Sequence, residues 1–305
     1  INSFTADIAK VPMNASGEVS VYDDRLGLGI KAGIDSCRVS DILKGLVVNI
    51  IPEAKNITTD AIIDFNATAI GDYVFGEDRL PSITASFRVP SSGISYKGIP
   101  GRVGLELAVD ASTDTEGRLN VDNIRAEIEA KGAELKVKGS ISDLFCDDPK
   151  IHVDGNMDVL LDSLATMIPD SLGVNANGKI LAHLKGGIHL SQMDMYRFSD
   201  ADITGSVTAQ DINISAPKDT LKAFVSKAEV RLSPEEKKSR SGATFRMLGL
   251  KCSVDSTSIT MGTMRVKGKQ LNLTAMNSTD HDKDTSKVHR FGGKVSAGHL
   301  LLVDN

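Results

Sequence analysis

The feature that most constrains this chain is a spacing of two. In AELKVKG, residues 133 to 139, Ala133, Leu135 and Val137 alternate with Glu134, Lys136 and Lys138. Successive side chains of an extended strand point to opposite faces, so this spacing predicts a strand with one buried and one wet face. The spacing returns in ITASFRV (83 to 89), LELAVDA (105 to 111), IRAEIEA (124 to 130) and KIHVDG (150 to 155). It continues in VNANGKILAHL (174 to 184), ADITGSVTAQ (201 to 210), INIS (212 to 215), SITM (258 to 261), LNLTA (271 to 275) and GKVSAGHLLLV (293 to 303). Gly, Asn, Asp, Pro and Ser stand between the runs, as hairpin turns require. A parallel α/β sheet is excluded, because its strands are covered on both faces and read as unbroken apolar runs between helices. The pattern predicts an all-β chain, a long antiparallel meander.

Only two stretches have helical spacing. The first is VSDILKGLVVNII (39 to 51), with Ser40 or Asp41 as the N-cap. The second is MDVLLDSLATMI (157 to 168), with Val159, Leu160, Leu164, Met167 and Ile168 on one side and Asp158 as the cap. Each ends at a proline, Pro52 and Pro169. Each is also framed alike, by Ile34-Asp35-Ser36 and Val153-Asp154-Gly155, 119 residues apart. The order of parts predicts one continuous elongated β domain over 1 to 305, with a weak internal repeat of about 1 to 132 and 133 to 305. The charged segments SPEEKKSRSG (233 to 242) and MNSTDHDKDTSK (276 to 287) read as solvated loops.

Charged residues make up 25% of the chain and the formal net charge is -5, so no basic field favours nucleic acid or an anionic membrane surface. Aromatics are 4% and Trp is absent, which leaves few anchors for a large polar ligand. Cys37, Cys146 and Cys252 are too far apart and too few for a disulfide framework or a clustered metal site. The longest apolar runs, such as LVVNII (46 to 51), fall far short of the ~20 residues of a membrane-spanning helix. A strand pattern begins almost at Ile1, without initiator Met or signal peptide, so the expectation is a part of a longer protein.

No catalytic constellation emerges. The glycines of GLGIKAG (27 to 33) and GTMRVKGKQ (262 to 270) miss the spacings of dinucleotide and phosphate loops, and both stretches read as strand or turn. DHDKD (280 to 284) imitates the start of a calcium loop, but Thr285 and Phe291 stand where Gly and a bidentate Glu belong. His183 and His189 fall on the polar side of their alternation, and neither an H-E-x-x-H nor a G-x-S-x-G motif is present. The chain reads as a non-enzyme without cofactor or metal.

A dozen paired strands would carry an apolar face far larger than the ~300–600 Å² patch a soluble monomer exposes. That face must lie on a second layer, on itself, or on lipid. The residues that would line it are Ile124, Ala126, Ile128, Leu135, Val137, Ile151, Val153, Val174, Ala176, Ile180, Ala182, Leu184, Ile203, Val207, Leu271 and Leu273. The same pattern serves an ordinary dry core, although Ala126, Ala176, Ala182 and Ala209 would leave room in one.

One region resembles the AsmA-like family, which includes the TamB-type proteins. The residues that carry the resemblance are Val137, Gly139, Ile141, Asp143 and Leu144, then Pro149, Ile151 and Val153, then the Asp158 to Pro169 segment. GKILAHLKG (178 to 186) and DADITGSVTAQDINIS (200 to 215) also fit, so that the match is best over 133 to 216. The resemblance implies a twisted sheet folded along its length into a β-taco or half-pipe with an aliphatic interior. It implies a periplasmic location, a tether to the inner membrane through an N-terminal helix upstream of Ile1, and a part in phospholipid transport or outer-membrane biogenesis. Partners would be phospholipid or another acyl lipid, and envelope proteins through strand edges. The alternative is a scaffolding β module with a closed, lipid-free core.

Overall fold

A computed structural model describes residues 4–8, 11–77, 79–168, 173–193, 201–216, 220–238, 244–281 and 287–304. The first eight strands are β1 (Phe4–Ile8), β2 (Val11–Val21), β3 (Arg25–Arg38), β4 (Ile57–Thr59), β5 (Ile62–Val74), β6 (Ser82–Tyr96), β7 (Val103–Thr113) and β8 (Leu119–Ala130). The other eight are β9 (Ala133–Ser142), β10 (Lys150–Leu160), β11 (Asn175–His189), β12 (Asp202–Ala216), β13 (Leu221–Lys238), β14 (Thr244–Met261), β15 (Met264–His281) and β16 (Lys287–Asp304). Hydrogen-bonded order is chain order from β1 to β16, except that β4 steps aside to pair with β6. The all-β antiparallel meander predicted from alternation is the fold. The chain divides into two compact units, Ile1–Ala130 with Lys136–Ile151, and Lys131–Leu135 with His152–Asn305.

In the first unit, register sorts the side chains by face, since directly opposed residues of antiparallel strands point the same way. Ala15 faces Ala32, Ala32 faces Ala67, Ala67 faces Ala85 and Ala85 faces Ala111. Beside this row run Ile30, Ala69 and Ile83 on one side and Ile34, Phe65, Phe87, Val109 and Ile124 on the other. The opposite face carries Asn66, Thr68, Thr84, Ser86 and Asp110. The predicted helix after β3 is present as α1 (Val39–Ile42), a π turn (Leu43–Val47) and α2 (Val48–Ile50), with Pro52 opening a 3-10 turn. Its N-cap is Arg38, without a side-chain cap bond, and not Ser40 or Asp41.

In the second unit the alternation changes phase partway along β12 to β16, and a row of bulges absorbs the change. In β12 the apolar residues are Ile203, Val207 and Ala209, then Ile212, Ile214 and Ala216. Asp211, at φ 50, takes up the extra residue, so Val207 pairs with Ala182 and Ile214 with Ala176 on one face. The same break falls between Val225 and Ala228 in β13, between Val254 and Thr257 in β14, and at Gln270 (φ 52) in β15. Opposite Asp211 stands Gly178, at φ +117, where a Cβ would lie 2.7 Å from the Asp211 carbonyl oxygen. Only glycine allows that approach. Gly262, at φ +60, is the first of the two central residues that turn β14 into β15, as a II′ hairpin requires.

Two further readings are corrected. The helix predicted over 157 to 168 shrinks to α3 (Leu161–Ala165), because Ile151, Val153, Met157 and Val159 keep the spacing of two and β10 runs to Leu160. Asp158 therefore does not cap a helix; it lies in β10 with its carboxylate 3.0 Å from the Lys179 ammonium. Pro169 lies outside the described residues. Likewise 233 to 238 is not a loop but the end of β13, where backbone pairing with β14 needs no apolar period and Glu235 meets Lys251 at 2.7 Å. Residues 276 to 281 similarly belong to β15, whereas 239 to 242 and 282 to 286 lie outside the described residues.

Candidate functional site

The strands of the second unit place one aliphatic face together. Ala176, Ile180, Ala182 and Leu184 of β11 stand beside Ile203 and Val207 of β12 or their row neighbours, and Leu271 and Leu273 of β15 stand opposite Val254 and Cys252. Between the row of Leu232, Leu250 and Ala275 and the row of Leu221, Met261 and Met264, no charged residue stands on this face outside the bulge row. Sequence reasoning missed Ile212, Ile214, Val225, Val230, Ile259, Val266, Val295, Leu300 and Leu302, which complete it. The signal was there as a change from odd to even positions, which a bulge of one residue restores.

In the first unit Ile124, Ala126 and Ile128 share a face with Val109, Leu107 and Leu105, their partners on β7. Val137 and Ile151 also belong to this unit, and Leu135 and Val153 to the other. Val174 precedes β11 and is not part of a strand. None of the sixteen residues is buried, and Leu273 and Val207, on inner strands, are 38% and 41% exposed. Much of the aliphatic face is therefore half exposed, whereas Ile212 on it is buried.

The opposite faces are polar and charged. In the first unit the Arg88 guanidinium and the Asn123 amide, the latter at 3.1 Å, donate to Asp110 and hold its carboxyl below the usual range. The Gly93 N–H, at 2.7 Å, and Arg102 do the same for Asp60. His183 lies on the polar face of β11, with Nδ1 2.8 Å from Asn156 Oδ1. One surface cleft runs along Asn66, Thr68, Thr84, Ser86 and Asp110, and another is lined by both charged and apolar groups, among them Arg118, Asp143, Tyr73 and Phe145. Among the described residues no group of three or more His, Cys, Asp or Glu side chains is arranged to hold a metal, and no helix is long and apolar enough to cross a membrane. The aliphatic arrangement can bind by exclusion of water. Comparison with family models, curated proteins and solved structures gives no match for this chain.

Proposed function

We propose that this chain is a non-enzymatic, lipid-shielding segment of an AsmA-like envelope protein, with the acyl chains of phospholipid or a related lipid lying along its aliphatic faces. The observation that carries the reading is the charge-free, half-exposed aliphatic face of the second unit, with Leu273 and Val207 38% and 41% exposed on inner strands. Water disfavours such a surface at about 25 cal/mol per Å². Each methylene laid against it contributes about 0.8 kcal/mol, so a chain of a dozen methylenes gains roughly 10 kcal/mol before ordering costs. Alanines in the row from Ala15 to Ala111 leave a shallow track in which a hydrocarbon chain can seat. The periplasmic location, the tether to the inner membrane and a role in outer-membrane biogenesis follow from the family resemblance alone.

Photocrosslinking tests this reading, together with lipid extraction from the purified chain. Diazirine side chains at Val207 and Leu273 should label acyl chains, and those at Thr208 and Asn272, one residue along and on the other face, should not. Equal labelling from both faces refutes it. A second reading, a scaffolding module that recruits a protein strand, is favoured by β16, which stands last in the strand order with Val295 73% exposed. In that case crosslinkers at Val295 give protein adducts and those at Val207 give no lipid.

A further inference from the structure

We propose that the end of the second unit at the Gly262–Thr263 hairpin docks on an anionic bilayer surface, an inference that rests on the lipid-shielding reading and gives the place where lipid would pass. Two observations meet at this end. On the aliphatic face Met261, Met264 and Leu302 flank the hairpin, exposed by 56%, 43% and 67%. On the polar face Lys222, Lys227, Arg265, Lys267 and Lys269 occupy neighbouring rows of β13 and β15. Among the described side chains, no Asp or Glu is ion-paired with these five cations.

Toward the other end of the same strands three cations are matched, although Lys238, among the described side chains, is not. Arg231 pairs with Glu229 at 2.6 Å, Arg246 with Asp202 at 2.7 Å and Lys251 with Glu235 at 2.7 Å. The net charge of -5 thus hides a basic patch at one end of one face. Lys222 and Arg265 stand in one row on either side of Thr260, two strand spacings or roughly 10 Å apart. Beside them a cleft is lined by Phe224, Ser258 and Thr260, and the two hydroxyl groups can donate to phosphate oxygens alongside the two cations.

Charge alone would suit any polyanion. The exposed methionines and leucine on the reverse of the same hairpin decide for a bilayer, because only there do phosphates and hydrocarbon lie within a few ångströms of each other. Lys222, Arg265 and Lys267 meet lipid phosphates while Met261 and Met264 enter the headgroup layer.

Vesicle flotation of the whole chain tests this. Wild type should float with phosphatidylcholine vesicles that contain phosphatidylglycerol, should float poorly with phosphatidylcholine alone, and should be released by salt. Each lost cation should lower the partition about fivefold, so Lys222→Gln, Arg265→Gln and Lys267→Gln together should lower it about a hundredfold. Arg231→Gln with Lys251→Gln, at the matched end, should leave it unchanged. Far-ultraviolet circular dichroism of each variant establishes that the strands form. The proposal is overturned if wild type ignores vesicle charge, or if the triple variant floats as wild type does. Monomeric short-chain phosphatidylcholine separates the two ideas: labelling at Val207 without vesicle docking sinks this one alone, and docking without labelling sinks lipid shielding alone.

Discussion

Gly178 offers the sharpest test of the bulge row that keeps the aliphatic face of the second unit in phase. Its φ is +117, and an added Cβ would stand 2.7 Å from the Asp211 carbonyl oxygen and 2.8 Å from that of Gln210. Both obstacles are backbone, so no rotamer relieves them. The strained dihedral costs about 1–3 kcal/mol and the overlap about 1–3 kcal/mol more. Gly178→Ala should therefore destabilise the β11–β12 pair by about 2–6 kcal/mol. Hydrogen exchange read by mass spectrometry reports this locally: β11 and β12 amides should exchange at least roughly thirtyfold faster. Two controls bracket the effect. Gly262→Ala meets only Thr220 Oγ, at 3.9 Å, and at φ +60 bears the left-handed cost of about 1–2 kcal/mol. Gly292→Ala meets no atom within 4 Å and has no positive φ, and should be neutral or stabilising by up to about 1 kcal/mol. If Gly178→Ala exchanges no faster than Gly262→Ala, the bulge does not hold the two halves of each strand in register.

Burial contrasts along the faces make a second prediction: Ile212→Ala, at an 8% exposed site, should cost about 2–5 kcal/mol in urea denaturation, and Leu273→Ala, at 38%, clearly less. Lipid should raise the cost at Leu273 and leave that at Ile212 alone. Asp110 titrates below its ordinary value because of Arg88 and then Asn123. A depressed folded value means stabilisation that is complete above the unfolded pKa of about 3.9 and fades as pH falls through the folded one; Arg88→Gln should move the Asp110 carboxyl resonance back up toward the ordinary value. Finally, Leu300→Lys with Leu302→Lys, on strand β16 at the end of the order, should reduce self-association of the lipid-free chain in sedimentation velocity. Unchanged self-association would exclude this edge as its cause.

Most of the architecture was legible because alternation is a local signal. AELKVKG, IRAEIEA and VNANGKILAHL each lie within one strand, β9, β8 and β11 with the residue before it. The breaks came where two local rules compete. Met157 to Leu160 fit a helical stripe and a strand equally well, and pairing in β10 prevailed. ADITGSVTAQ and INIS read as two runs because their apolar residues differ in parity, and only the partner strand shows that Asp211 joins them. Charged strand ends such as 233 to 238 carry no pattern at all, since cross-strand ion pairs like Glu235 with Lys251 replace apolar contacts there. Of the candidate lining, Ile180, Ala182, Leu184, Val207, Leu271 and Leu273 could be assigned one face from sequence, but β13, which had no run to announce it, and β16, whose run GKVSAGHLLLV changes parity partway, contribute as much of it.

Alternation specifies what must leave water and is silent on what it meets. The strands decide that question by their length and their parity. β13, β14, β15 and β16 have 18 residues each, about 60 Å of extended chain, where a globular sheet needs strands of about 5–6. Such length is costly without a bulge row, because one residue out of phase would turn half of every strand inside out. Asp211 and Gln270 hold left-handed conformations that non-glycine residues adopt at a cost of about 1–2 kcal/mol each. With this strain accepted in β12 and β15, the bulge row keeps the aliphatic surface in phase along these strands. A compact core gains little from that continuity, whereas a hydrocarbon chain lying along the strands depends on it.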